Sequence, residues 1–120
     1  MASSVVTLHR WDDIPAEQIN PTISRQFITA ERVTVARFEI KRGGVVPQHS
    51  HENEQVSYII SGALKFMFEG RDIVVRGGEV LQIAPHVPHA AEAIEDTLAI
   101  DVFSPVRQDW VNKTDTYFAR

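Results

Sequence analysis

His49 and His51 stand two residues apart, Gln55 follows four further on, and His89 comes far downstream in Pro85-His86-Val87-Pro88-His89. On an extended strand, residues i and i+2 project from one face, so His49 and His51 point the same way. Gln55 keeps that parity if the strand runs on. Three imidazoles and an amide oxygen brought to one point make a site for a divalent transition metal. Neutral imidazole suits Ni, Zn, Fe, Mn or Cu, and the amide oxygen is a weaker, uncharged ligand. Without a carboxylate ligand the metal keeps its full formal charge, which favours Lewis-acid work over the oxygen chemistry of two-histidine, one-carboxylate iron sites. The chain has no cysteine, so thiolate ligands, a cysteine nucleophile and a disulfide framework are excluded.

A second group of chemical residues lies near the end of the chain. Asp101 and Phe103 share one face of a strand whose other face carries Leu98, Ile100 and Val102. A hairpin turning at Glu95-Asp96 would set His89 opposite Asp101, so that the carboxylate looks into the metal cavity. A carboxylate inside a barrel is costly unless it has a partner or a task. Arg107 is built for a two-pronged bond to a carboxylate, either Asp101 or one on a ligand. His86 sits in the turn before His89 and is expected to face solvent rather than a metal. Glu52 and Glu54 alternate away from the motif and are expected to be solvated.

The elements that position these residues read as short strands. The stretch 33–40 is rich in β-branched and aromatic residues, and Gly43-Gly44 punctuates the chain after it. Further strands are predicted at 55–60, 64–68, 73–75, 80–83, 89–93 and 97–103, with turns at Ser61-Gly62, Glu69-Gly70 and Gly77-Gly78. Strands recurring at this spacing indicate an all-β sandwich or barrel. The reading is one domain over 1–120: an N-terminal arm at 1–30, a barrel at 31–104 and a tail at 105–120. The arm holds Trp11 in a short turn and is broken at Asn20-Pro21. The tail carries Trp110, Tyr117 and Phe118 and packs back on the body. A net charge of −4 gives no basic footprint for nucleic acid. No apolar run is long enough to span a membrane, and the first residues lack the pattern of a secretory signal. The expectation is a cytoplasmic protein.

Set out in full, the first motif is Gly43, His49, Ser50, His51, Gln55 and Gly62, and the second is Gly78 followed by Ala84-Pro85-His86-Val87-Pro88-His89. This resembles the two motifs of the cupin superfamily, small double-stranded β-helix or jelly-roll barrels. The resemblance implies His49, His51, Gln55 and His89 as metal ligands. The sequence departs from the family pattern where Gln55 replaces a glutamate, Ala84 a proline, His86 a glycine and Ala93 an asparagine.

The segment from Leu98 to Trp110 resembles the Asp-Val-Phe-Ser-Pro-x-Arg segment of the pectin-degradation cupins, the KdgF group, and the likeness covers roughly 33–110. That resemblance implies a metal-dependent enzyme that opens a small unsaturated uronate from pectin or alginate to its linear keto form. It also implies catalytic roles for Asp101, Phe103 and Arg107. A cupin oxidoreductase acting with oxygen and a non-catalytic sugar-binding module stay open beside it. The implied partners are a sugar acid and a second copy of the chain, paired through an edge strand that the arm supplies.

Overall fold

The computed structural model describes residues 5–117. After a 3₁₀ turn at Trp11–Asp13, ten strands follow in order: β1 (Glu17–Asn20), β2 (Ile23–Thr29), β3 (Thr34–Ile40), β4 (Val45–His49), β5 (Glu54–Ser61), β6 (Ala63–Phe68), β7 (Arg71–Arg76), β8 (Val80–Ile83), β9 (His89–Ala93) and β10 (Thr97–Ser104). A single turn of helix, α1 (Gln108–Val111), closes the list. The strands make two antiparallel sheets, β1-β2-β3-β10-β5-β8 and β4-β9-β6-β7, in the jelly-roll arrangement. Among the described residues no helix is long and apolar enough to cross a membrane.

Alternation decides which residues enter the space between the sheets. Phe38 and Ile40 of β3, Ile59 of β5, Leu64 and Phe66 of β6 and Phe103 of β10 are buried there, each two residues from another inward position on its strand. Trp110 of α1 adds a large plug. It packs against Phe27, Phe38 and Phe103 at ring separations of 5.2, 6.0 and 5.1 Å. Beside the metal-ligand candidates two inward positions are small instead: Ala91 and Ala99 are both buried and line a cavity between the sheets.

Three expectations are corrected. Residues 17–29, read as part of an arm, form β1 and β2, and β2 pairs along its whole length with β3. The strand carrying His49 does not run on to Gln55. It ends at His49, and the chain crosses from one sheet to the other before β5 begins. The turn at Glu95-Asp96 does not make a hairpin either: β9 lies between β4 and β6, whereas β10 lies between β3 and β5. The chain changes sheet at every connection from β3 to β10 except β6–β7. Gly62 shows what one such crossing requires. It has φ +92°, and a Cβ there would collide with the Asp96 carbonyl oxygen, so only glycine fits. Phe118, expected in the packed tail, lies outside the described residues.

Candidate metal centre

His49 reaches the cavity because β4 is irregular. Val46 pairs with Ala91 and His49 with His89, so β4 spends one residue more than β9 over the same span. That bulge turns both Val46 and His49 inward, although an odd separation would put them on opposite faces of a regular strand. Pro47 sits inside it, on an edge strand where a missing N–H breaks no ladder. His89 opens β9 as the register partner of His49. His51 comes from the crossing loop, and Gln55 from β5 in the opposite sheet. One nitrogen from each of His49, His51 and His89 falls within 4.8 Å of the others.

The hydrogen bonds fix which nitrogens converge. Each Nδ1 faces a backbone carbonyl two residues away: His49 to Pro47 at 2.8 Å, His51 to Asn53 at 3.0 Å and His89 to Val87 at 2.8 Å. A carbonyl only accepts, so each Nδ1 carries the hydrogen and each Nε2 presents a lone pair. His89 Nε2 is buried with no hydrogen-bond partner. Burial is the main force that pushes the His49 imidazole down to about 3 and the His51 imidazole down to about 4. The neighbouring histidines and Arg107 add to it. His89 is lowered as well, by burial first and then by Arg107. All three rings are therefore neutral at pH 7.

Gln55 makes the strongest case for a cation. Its Nε2 donates to Ser57 Oγ at 2.9 Å, which orients the amide, and its Oε1 lies 3.0 Å from His51 Nε2. Both of these atoms are acceptors when His51 Nδ1 holds the hydrogen. Two lone pairs facing each other at that distance in a partly buried contact call for a proton or a metal between them, and the lowered His51 pKa disfavours the proton. Three converging imidazole lone pairs, one of them orphaned, and an amide oxygen turned toward them fit a divalent transition metal. The carbonyls behind each ring are the outer contacts that orient metal-binding histidines.

The second group of residues lines the same cavity from the other sheet. Asp101 and Phe103 on β10 face inward beside Ala99, and Asp101 stands across from His89 rather than next to it. Its Oδ1 is buried without a hydrogen-bond partner. Burial raises its carboxyl to about 6, against a hydrogen bond from Ser57 and the charge of Arg107. Arg107 is buried, 1% exposed, and its partner is neither Asp101 nor left open. Its Nε donates to Asp109 Oδ1 at 2.9 Å and its Nη2 to Asp109 Oδ2 at 2.7 Å. The first turn of α1 begins just after Arg107 and sets Asp109 beside the guanidinium. The rings of Phe103 and Trp110, 4.7 and 4.3 Å from Arg107 Cζ, hold its plane.

Four contributors escaped the sequence reading. Asn53 is buried, and its amide bonds the carbonyls of Pro105 and Val106, tying the His51 loop to the segment before Arg107. Ser57 shares a face with Gln55, so the same parity that selected Gln55 would have found it. Asp109 and Tyr117 carry no periodic signal. His86 is exposed at φ +69°. It lies outside the histidine cluster, and its N–H donates to the His51 carbonyl at 2.8 Å. Glu52 and Glu54 are exposed.

The cupin-domain family model matches residues 36–103, and the chain belongs to the cupin family. Among solved structures it is similar to KdgF from Halomonas sp., at 30% identity over 82% of this chain and 94% of that one, with a TM-score of 0.76. It is also similar to an RmlC-like cupin from Shewanella frigidimarina, at 25% identity over 88% and 96% of the two chains, TM-score 0.80. The polyketide cyclase RemF from Streptomyces resistomycificus shares the fold at 23% identity over 84% and 80% of the two chains, TM-score 0.72. No curated protein matches in sequence.

Proposed function

We propose that this cupin is a metal-dependent enzyme that opens a small unsaturated uronate and ketonises it to the linear keto acid. The observation that carries the reading is a carboxylate with one unpaired oxygen, Asp101, in the wall of a cavity that His49, Gln55 and His89 also line, with His51 completing the histidine cluster. The resemblance of 98–110 to the KdgF group and the similarity to the Halomonas KdgF structure support it.

His49, His51, Gln55 and His89 would hold the metal. When bound there, it supplies Lewis-acid stabilisation of negative charge on oxygen. Asp101 takes the proton from the anomeric hydroxyl. As the C1 carbonyl forms, the bond from C1 to the ring oxygen breaks, and that oxygen leaves as the C5 enolate. Asp101 then returns the proton to C4, which gives the C5 ketone. No atom is gained or lost, and no co-reactant is needed. A carboxyl raised to about 6 suits both halves of that transfer near neutral pH. Arg107 supplies positive charge for the substrate carboxylate, and Phe103 forms an apolar wall. Pairing of two copies through β1, at the edge of the six-stranded sheet, belongs to the same reading, and sedimentation tests it.

The test follows loss of the ring C4=C5 ultraviolet absorbance in unsaturated galacturonate freshly released by a lyase. Metal-replete protein accelerates the loss. Asp101→Ala keeps its metal and fold and falls to the background rate. Full activity in that variant, or substrate-dependent oxygen uptake by the parent, sinks the assignment.

A further inference from the structure

Tyr117 is part of the cavity wall. Its ring stacks on His49 with centroids 4.1 Å apart and planes 4° from parallel, and Arg107 Nη2 donates to its hydroxyl at 3.2 Å. The residues leading to it form a strap that is pinned at intervals. Thr114 N–H donates to the Asp109 carbonyl at 2.8 Å, and Asp115 pairs with the buried Arg25 at 3.2 Å. The strap departs from α1 at Lys113, a non-glycine residue held at φ +57°. With Tyr117 in place, the cavity has a free volume of about 40 Å³, room for a few water molecules. Pockets that take small organic ligands begin near 300 Å³.

We propose that Tyr117 is a specificity-determining residue of this site. Its ring closes the cavity over His49, and the strap 114–117 must lift before anything larger than water enters the cavity beside His49, Gln55 and His89. The contacts that hold it down include the stack on His49, the hydrogen bond from Arg107, the Thr114 bond to the Asp109 carbonyl, and an ion pair whose cation Arg25 keeps a second partner in Glu17. Lifting the phenol also frees one N–H of Arg107 beside the histidines. That N–H is a seat for an incoming carboxylate, a step that rests on the uronate reading.

Labelling with diethyl pyrocarbonate tests the closure in metal-free protein. A neutral imidazole with an open Nε2 reacts readily, so access sets the rate. The rates at His49 and His89 are taken relative to the exposed His86, by peptide mass spectrometry. In the parent the ratio is low. In Tyr117→Ala it rises roughly tenfold, the change expected when one stack and one hydrogen bond no longer hold the strap. Asp115→Asn, which loosens the strap away from the cavity, also raises it, and Tyr117→Phe, which keeps the stack, stays within about twofold of the parent. A ratio unchanged in both Tyr117→Ala and Asp115→Asn overturns the proposal. Labelling needs neither metal nor sugar. Opening in Tyr117→Ala without any turnover by the parent would therefore count against the uronate reading alone. Unchanged labelling with turnover intact would count against the gate alone.

Discussion

Asp101 is kept in the cavity wall at a cost that pH reveals. Burial lifts its carboxyl to about 6 from an ordinary 3.8, so the metal-free folded chain holds this proton more tightly than the unfolded one. The stability that Asp101 contributes is fully present below about pH 4 and is lost as pH rises through 6. Asp101→Asn cannot ionise. It should match the parent at pH 4 and exceed it at pH 7 by on the order of 2 kcal/mol, measured by urea unfolding of metal-free protein. A parent as stable as the variant at pH 7 would mean that Ser57 and Arg107 offset the cost of burying the carboxylate. The histidines run the other way. With His49 lowered to about 3 and His51 to about 4, their contribution is present above the ordinary 6.5 and fades as pH falls toward those values. Behind His51, Asn53 supplies the carbonyl that fixes the ring, while its amide anchors the loop. Asn53→Ala should weaken metal binding by roughly 10- to 100-fold, read by competition with a chromogenic chelator. At this scale the sequence was most informative where spacing and residue type agree. His49, His51, Gln55 and His89 announce themselves by motif, and Asp101 by its parity with Phe103. The partner of Arg107 was not legible. Nothing in the order of residues tells a guanidinium whether to fold onto Asp109, two positions on, or across the barrel to Asp101.

From β3 onward strands and turns were legible as separate pieces, but β1 and β2 were not, nor was the distribution of strands between two sheets. A glycine or Glu-Asp turn marks where the chain reverses, and period-two alternation marks which side of a strand is buried. Both signals look the same whether the next strand lies alongside or faces it from the other sheet. That ambiguity explains the misplaced hairpin at Glu95-Asp96: β9 and β10 are both inward-facing with alanines, as neighbours or as opposites would be. The bulge at Pro47 is equally silent in sequence, yet without it Val46 and His49 would point to opposite sides. Turn chemistry at the crossings is where substitution should separate the two kinds of position. Gly62 carries the β5–β6 crossing at φ +92° with no space for a Cβ. Gly62→Ala should therefore lose about 3 kcal/mol or fail to fold, through left-handed strain and collision with backbone together. His86 is the reverse case, a side chain exposed at φ +69°. His86→Gly should raise stability by up to about 1 kcal/mol, the left-handed strain relieved less the added chain entropy, with metal content unchanged. Chemical denaturation of both variants, alongside metal analysis of the second, checks the opposite signs.

The two sheets meet at the candidate centre from both sides. His49 and His89 belong to the four-stranded sheet, Gln55 to the six-stranded one, and His51 to the loop that joins them. A metal on these residues is thus a clasp across the sandwich, placed at a cavity between the two sheets. The folded chain gathers the four candidate ligands and the unfolded chain does not, so metal binding there would add directly to stability. Free metal at about a hundred times its dissociation constant contributes about 2.7 kcal/mol, which for a chain of this length raises Tm by roughly 10 °C. His49→Ala should abolish most of that rise, whereas loss of the exposed His86 should leave it intact, so calorimetry with Ni or Zn separates the clasp from surface binding. The pH course of the same experiment reaches into the site itself. Proton competition at ordinary histidines would erode the rise through pH 6.5. Here burial keeps the imidazoles neutral to far lower pH, so the metal-dependent rise in Tm should persist to about pH 5 before it collapses. Loss already complete at pH 6 would mean that the ligands are solvated and the cavity stands open. That would contradict the buried, pre-set geometry on which both the metal centre and its closure by Tyr117 depend.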